Sequence, residues 1–475
     1  MGGRTTRLVV GGVSAAALVV VSAAVVQGGL ASGRPDPGSS VVATSATPAS
    51  TFVPAPGATA PSGVDDVLAG LPSGAPLPTA AEVDRTLSPL LAATGLGKAI
   101  SMQVVDVVTG TSLLAVQPNA RLVPASTAKL LTGAAVLSAA GPTATLRTTV
   151  VEGATAGEIV LVGGGDVLLG AGKGNPDMVV GHAGLADLAD RTAAVLKSQG
   201  RTSVAVRLDD TLFHGPAVSP AWRPGDVAAG YVAPVMALEV NAGQVPRRTS
   251  RQSDPALVAG RIFASLLSRC GITVTVPVTR AGASETARVL ASVESAPVAA
   301  QVEYALTESD NTVAEALARV VALRMGRQTT FTDAGRAVLD QVGLLGVPTD
   351  GARLVGGSGL ADGCVVSVRT LTSLLALAGS AGHPELRAVL TGLPVAGASG
   401  TLADRYATAA QRGGLGVVRA KTGTLKGVNA LAGTVVDAEG RLLAFAILAD
   451  RTGTTSVART ALDNVAVALA RCGCR

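Results

Sequence analysis

The sequence predicts an α/β (α+β) fold in which one sheet is assembled from both ends of the chain and flanked by helices. Three observations carry this. A pair of strand-like runs joined by Thr109-Gly110, followed at once by a helical pattern, stands near the start of the folded sequence. Three further strand-like runs and an amphipathic helix close the chain. Between them lies a long section that mixes strands, turns and helices.

In chain order, Arg4 and Arg7 precede an apolar run from Leu8 to about Leu30, broken by polar side chains only at Ser14, Ser22 and Gln27. A positive start followed by such a run is an export segment. It is as long as the roughly 20 residues that cross a bilayer, so residues 1–32 are expected to stay as a membrane anchor. A signal peptide cleaved near Ala31 is the competing reading. A buried core helix is disfavoured by the Gly/Ser/Pro-rich sequence that follows. Residues 33–76 are rich in Pro, Ser, Thr, Ala and Gly and read as an extended spacer.

Folded sequence starts near Thr79. Ala99–Val108 and Ser112–Val116 form the hairpin, and Pro124-Ala125 introduces a helix over 126–139 that stops at Gly141-Pro142. Leu146–Val151 and Glu158–Val162 read as strands, the second closing on Gly163-Gly164-Gly165-Asp166. The region to about Leu290 is mixed, with one long helical pattern at Pro255–Arg269. Helices follow at Pro297–Thr307, Thr312–Met325 and Val368–Ala378. Strands at Gly416–Ala420, Ala430–Val436 and Leu442–Ala449, then a helix at Ser456–Ala470, end the chain.

Hydrophobic residues are 48% and charged residues 15% of the chain, enough to bury large cores. The net charge of +5 is diffuse, and aromatics are 2%. There is no dense basic run and little to stack bases, which argues against nucleic acid. An evenly solvated surface is the plain reading of the charge. His182, His214 and His383 are widely separated, and the cysteines lack zinc spacing, so neither a metal nor a cofactor is expected. Cys270, Cys364, Cys472 and Cys474 allow three full pairings. Export favours disulfides, and Cys270 with Cys472 or Cys474 is the expected one, on the premise that the helices before them share a sheet face.

Three short motifs occur in order: Ser126-Thr127-Ala128-Lys129, Ser309-Asp310-Asn311 and Lys421-Thr422-Gly423. Singly, each reads as a helix cap or a strand end. Together they describe a nucleophile and its supports. Positions three apart on a helix share a face, so Lys129 lies beside the Ser126 hydroxyl. A neutral lysine there takes the serine proton, provided burial or nearby positive charge lowers its pKa. The helix N-terminus favours the developing negative charge. Ser309 is the expected proton relay to the leaving nitrogen, and Asn311 the holder of the substrate amide. Lys421 and Thr422 suit a substrate carboxylate, and Gly423 a close backbone approach. A Ser-His-Asp site is disfavoured: Gly357-Ser358-Gly359 and Ala398-Ser399-Gly400 lack the full Gly-x-Ser-x-Gly pattern, and the rare histidines offer no base.

The ordered trio is that of penicillin-binding proteins and class A β-lactamases. With Leu161–Asp166, Leu208–Phe213, Tyr231–Val235 with Asn241, Gly357–Leu360 and Leu393–Gly397, the chain from about Thr79 onward resembles the class C low-molecular-mass penicillin-binding proteins, the D-Ala-D-Ala carboxypeptidase/endopeptidase family. The resemblance implies a penicillin-recognising serine transpeptidase/β-lactamase-like domain built from 77–146 and 290–475, with a large insertion, 147–289, between the first two motifs. It implies an oxyanion hole made by the backbone N–H groups of Ser126 and Thr424. It also implies peptidoglycan stem peptides as substrates and β-lactams as covalent inhibitors. One departure stands out. The family often has Arg two residues after Ser-Gly-Leu, where this chain has Asp362.

Two other functions fit the same motifs. A β-lactamase of class A needs a deacylating Glu, and neither Glu315 nor Glu385 has Asn four residues on. A non-catalytic cell-wall-binding protein of the same fold would not need the trio intact.

Overall fold

The computed structural model describes residues 74–474. The expected export segment and most of the expected spacer lie outside these residues. Among the described residues, no helix is long and apolar enough to cross a membrane.

The described chain opens with helix α1 (Ala80–Leu91), capped by the Thr79 hydroxyl. Strands β1 (Ala99–Asp106) and β2 (Ser112–Val116) form the expected hairpin. Its turn is held by Asp106, whose carboxylate accepts from the Thr109 N–H at 2.7 Å and hydroxyl at 2.6 Å. A 3-10 turn, Ala125–Ala128, leads into α2 (Lys129–Ala140). This corrects the helix start expected at Ser126. The Ser126 hydroxyl makes no cap bond and so remains free for chemistry.

The middle of the chain supplies β3 (Arg147–Glu152), β4 (Glu158–Val162), β5 (Asp166–Leu169), α3 (Leu185–Ser198), β6 (Ser203–Asp209), β7 (Leu238–Val240), α4 (Pro255–Arg269), β8 (Thr273–Val274), β9 (Thr279–Arg280) and β10 (Val289–Glu294). These build a second sheet in the order β10-β3-β4-β6-β8, with β9 on β6 and a separate β5-β7 pair. Its β4–β6 and β6–β8 pairs are parallel, which requires crossovers; α3 and α4 provide them and bury Leu188, Leu196, Phe263 and Leu267 against the sheet. Because β10 belongs here, residues up to Glu294 go with this sheet.

Then come α5 (Val298–Thr307), α6 (Asn311–Arg324), α7 (Phe331–Leu344), α8 (Val368–Gly379) and the short α9 (Arg387–Thr391). The chain ends with β11 (Val418–Leu425), β12 (Val428–Val436), β13 (Leu442–Asp450) and α10 (Thr455–Ala470). These strands and the first hairpin make an antiparallel sheet, β11-β12-β13-β1-β2, joined where β1 pairs with β13 from Ala99↔Asp450 onward. Both faces are covered. Along β13, Leu443, Phe445, Ile447 and Ala449 face the core shared with α1 and α10, while Ala444, Ala446 and Leu448 face the helices α2 and α8.

Two further expectations are corrected. Strand β11 runs on to Leu425, so Lys421-Thr422-Gly423 lies within it, paired with Ala432, Leu431 and Ala430. Main-chain pairing, rather than side-chain type, sets that extent; the reversal comes at Gly427, where φ is +72°. The expected Cys270 pairing is also overturned. Cys472 is joined to Cys474, while Cys270 ends α4 against Asp190 in the helical layer of the other sheet. The premise that α4 and α10 share a sheet face fails, because they belong to different sheets.

Candidate active site

Ser126 stands on a turn that three elements press into shape. Ala125, just before it, is buried with a left-handed φ of +46°, a conformation that costs a non-glycine residue about 1–2 kcal/mol. On one side lies β11: a Cβ on Gly423 would meet the Pro124 carbonyl oxygen at 2.7 Å and the Ala125 Cβ at 3.2 Å. On the other lies the 356–360 loop: a Cβ on Gly359, itself at φ +76°, would fall 2.0 Å from the Ala125 carbonyl oxygen. Gly423, expected to let a substrate strand approach closely, is itself packed against the turn that carries Ser126.

Lys129 begins α2 and is buried. Its Nζ lies 3.0 Å from Ser126 Oγ, 2.6 Å from Asn311 Oδ1 and 3.1 Å from the Ser358 carbonyl oxygen. Burial pushes Lys129 down to about 8, with Glu315 and then Asp310 pulling the other way. At neutral pH that raises the share of free amine by roughly two orders of magnitude over an ordinary lysine.

The second motif sits at the start of α6. Asp310 caps α6 through the Val313 N–H and pairs with Arg251 at 3.5 Å. Asn311 accepts from Lys129 and donates through Nδ2 to the Tyr231 carbonyl at 2.9 Å. The next residue, Thr312, accepts from the Ala233 N–H at 2.9 Å. Thus the inserted region is tied to two motif residues, Asp310 and Asn311, and to the residue that follows them. Ser309 is half-buried, has a left-handed φ of +57° and makes no hydrogen bond, so the structure does not join it to Lys129.

In the third motif, Lys421 is fully buried and donates only to the Thr422 carbonyl at 3.0 Å. Burial pushes it well below the ordinary lysine range, and the charge of Lys129 adds to that. Thr422 Oγ1 lies 2.8 Å from Thr401 Oγ1, and Arg459 reaches Thr424 Oγ1 at 3.5 Å. Thr401 and Arg459 carry no signal in the sequence, and Glu315 enters there only as a glutamate without Asn four residues on. Ala398-Ser399-Gly400, which lacks the full Gly-x-Ser-x-Gly pattern, stops one residue short of Thr401. Asp362 pairs with Arg223 of the inserted region at 3.1 Å.

Among the described residues, no group of three or more His, Cys, Asp or Glu is placed to hold a metal. A cavity of 670 Å³ between α1 and α10 is lined by none of the motif residues. The arrangement offers a serine with an adjacent buried amine and a second buried lysine with donors to spare, which suits acyl transfer from a carboxylate-bearing substrate.

The model of the D-Ala-D-Ala carboxypeptidase 3 (S13) family matches residues 83–254 and 247–472. The chain is 37% identical to carboxypeptidase DacB of Mycolicibacterium smegmatis, covering 88% of this chain and 90% of that protein. It is 30% identical to the D-alanyl-D-alanine carboxypeptidase of an Actinomadura species, covering 74% and 78%. Penicillin-binding protein 4 of Haemophilus influenzae has the same fold, with a TM-score of 0.65 at 20% identity over 80% of this chain and 97% of that one.

Proposed function

The chain belongs to the D-Ala-D-Ala carboxypeptidase 3 (S13) family, and from that premise we propose that Ser126 is the nucleophile and Lys129 its base. The activity is that of a D-Ala-D-Ala carboxypeptidase. The observation that carries the assignment of residues is the 3.0 Å contact between Ser126 Oγ and the buried Lys129 Nζ, which burial brings down to about 8.

Lys421 and Thr422 receive the terminal carboxylate of the peptide, and Thr401 orients the Thr422 hydroxyl. The amine of Lys129 takes the Ser126 proton as Oγ attacks the carbonyl between the two D-alanines. The charge that forms on oxygen is met by the backbone N–H groups of Ser126 and Thr424. The C–N bond then breaks, and the leaving nitrogen receives a proton through the Ser309 hydroxyl, which has no other partner. Water cleaves the Ser126 ester and regenerates the enzyme. A β-lactam acylates the same serine, but its leaving group stays tethered. The Haemophilus relative has been crystallised with a β-lactam, which supports this reading.

Peptidoglycan stem peptides are the proposed substrates. The N-terminal apolar run supports export to the cell-wall side of the membrane, anchored or released; the intact mass of the exported chain distinguishes the two. The function is tested with a labelled penicillin and a D-Ala-D-Ala peptide side by side. Labelling is expected on Ser126, with release of D-alanine from the peptide and a penicilloyl adduct visible by intact-protein mass spectrometry. Labelling that persists at wild-type rate in Ser126→Ala sinks the residue assignment. Rapid turnover of benzylpenicillin with no accumulating adduct points instead to a β-lactamase.

A further inference from the structure

The Gly357-Ser358 turn is held from both sides. From α2, Thr132 Oγ1 donates to the Gly357 carbonyl at 2.7 Å and Lys129 Nζ to the Ser358 carbonyl at 3.1 Å. From α6, the buried Glu315 carboxylate accepts three bonds: from the Gly357 N–H at 2.8 Å, the Ser358 N–H at 3.0 Å and the Ser358 hydroxyl at 2.5 Å. Gly356 leaves room for this, since a Cβ there would fall 2.4 Å from Glu315 Oε2. Glu315 lies one turn after Asn311, so the same helix supplies an acceptor for Lys129 and the anchor of another.

The stereochemistry of the amine gives this arrangement its meaning. Protonated, Lys129 has three N–H bonds and meets three acceptors: Ser126 Oγ, Asn311 Oδ1 and the Ser358 carbonyl. Once it loses a proton, two N–H bonds remain. If Asn311 and Ser358 take both, the lone pair is left facing Ser126. Without the Ser358 carbonyl, the amine is free to turn about its stem and spend its lone pair elsewhere.

We propose that Glu315 is a positioning residue for Lys129: by fixing the Gly357-Ser358 turn, it makes the Ser358 carbonyl one of the two acceptors that aim the lysine lone pair at Ser126. The proposal rests on the reading of Lys129 as the base. Glu315 also acts through its charge. The charged groups facing Lys129 are Glu315 and Asp310 from α6 and Lys421 from β11; those facing Glu315, besides Lys129, are Arg319 one turn on and the Cys364 thiol. Glu315 stabilises the lysine in its protonated form, so neutralising it lets the proton leave at lower pH.

The test is the pH dependence of acylation by labelled penicillin, with rates normalised to folded protein. Glu315→Gln keeps the size but cannot accept all three bonds. Its ascending limb is expected to move about one pH unit lower, while the plateau rate falls at least about tenfold, the scale of one lost orienting contact. Glu315→Asp keeps the charge but withdraws the carboxylate from the turn. Its plateau is expected to fall while the limb stays near its original pH. A role confined to stability would lower the folded fraction and leave the limb of the folded enzyme in place. A folded Glu315→Gln protein with the wild-type limb and plateau overturns the proposal. Should that variant not fold, Glu315→Asp and Ser358→Ala carry the test, and wild-type plateaus in both overturn it. Lys129→Ala separates the two levels. Acylation that survives it refutes the base reading itself; acylation lost in Lys129→Ala but untouched by the Glu315 variants refutes the positioning role alone.

Discussion

Lys421 Nζ has one bond, to a neighbouring carbonyl, and the charge that acts on it is that of another lysine, Lys129. Desolvation drives such a group toward its neutral form, whereas a ligand carboxylate draws it back to the ammonium. Binding of a carboxylate ligand above neutral pH is therefore expected to take up a proton, and affinity to weaken as pH rises. Calorimetry in two buffers of different ionisation heat checks this; heats that do not depend on the buffer contradict it. Lys129 titrates in the opposite functional sense. With Lys129 as the proposed base its free amine is the active form, so kcat/KM is expected to climb as pH rises toward about 8. At this scale, the sequence showed the residues whose chemistry is demanding in type: serine, lysine and asparagine in ordered short motifs. It did not show Glu315 or Thr401. Each acts through a partner far along the chain, Ser358 for one and Thr422 for the other, and neither spacing carries a local signal.

Between residue and fold, the elements decide how firmly the Ser126 turn is held. Gly359 and Gly423 touch that turn from opposite sides. Gly359→Ala would have to push a methyl into the Ala125 carbonyl while also adopting a positive φ, at a cost of about 2 kcal/mol or more in stability. Its penicillin acylation rate is expected to fall at least about tenfold. Thermal unfolding beside acylation kinetics checks both; a variant with wild-type values in each contradicts the clamp. Elements with plain punctuation were legible in the sequence, such as α4, which starts at Asp254-Pro255, and α8, capped by Ser367. Helix α3 was not, because Gly184 gives it no side-chain cap. Helices α1 and α7 were missed for another reason: Pro89 interrupts the first and Gly335 the second. Gly335 is there because the Leu354 carbonyl would lie 2.4 Å from its Cβ.

For the whole molecule, the union of the two chain ends is pinned by a buried ion pair. Arg441 Nε and Nη2 donate to the two Asp106 carboxylate oxygens at 2.6 and 2.7 Å, and Nη1 donates to the Ala75 carbonyl. Desolvation alone would raise Asp106, but Arg441 and Thr109 outweigh it and hold the carboxyl below its usual range. A carboxyl held low stabilises the fold at neutral pH and loses that contribution as pH falls below about 4. Arg441→Ala leaves a buried carboxylate unpaired and is expected to cost about 3 kcal/mol. Denaturant unfolding at pH 7 checks it, and the difference from wild type is expected to shrink in acid. The same union was foreseeable from two strand groups at opposite ends of one chain. The strand order of the inserted sheet was not, because β8 and β9 are two residues each and show no periodicity.

That β1 lies beside β13 also sets a timetable. A chain made from its N-terminus completes Asp106 long before Asp450, and at about 5–20 residues per second the wait is roughly 20–70 s. Throughout it the hairpin keeps an open inner edge, the kind of edge on which unfinished chains aggregate. Every motif residue, from Ser126 to Thr424, has been made before β13 begins at Leu442. A nascent chain halted near residue 440 would thus carry the complete chemical inventory of the site and still take up no penicillin, because the strand that sits at the middle of its sheet has yet to arrive.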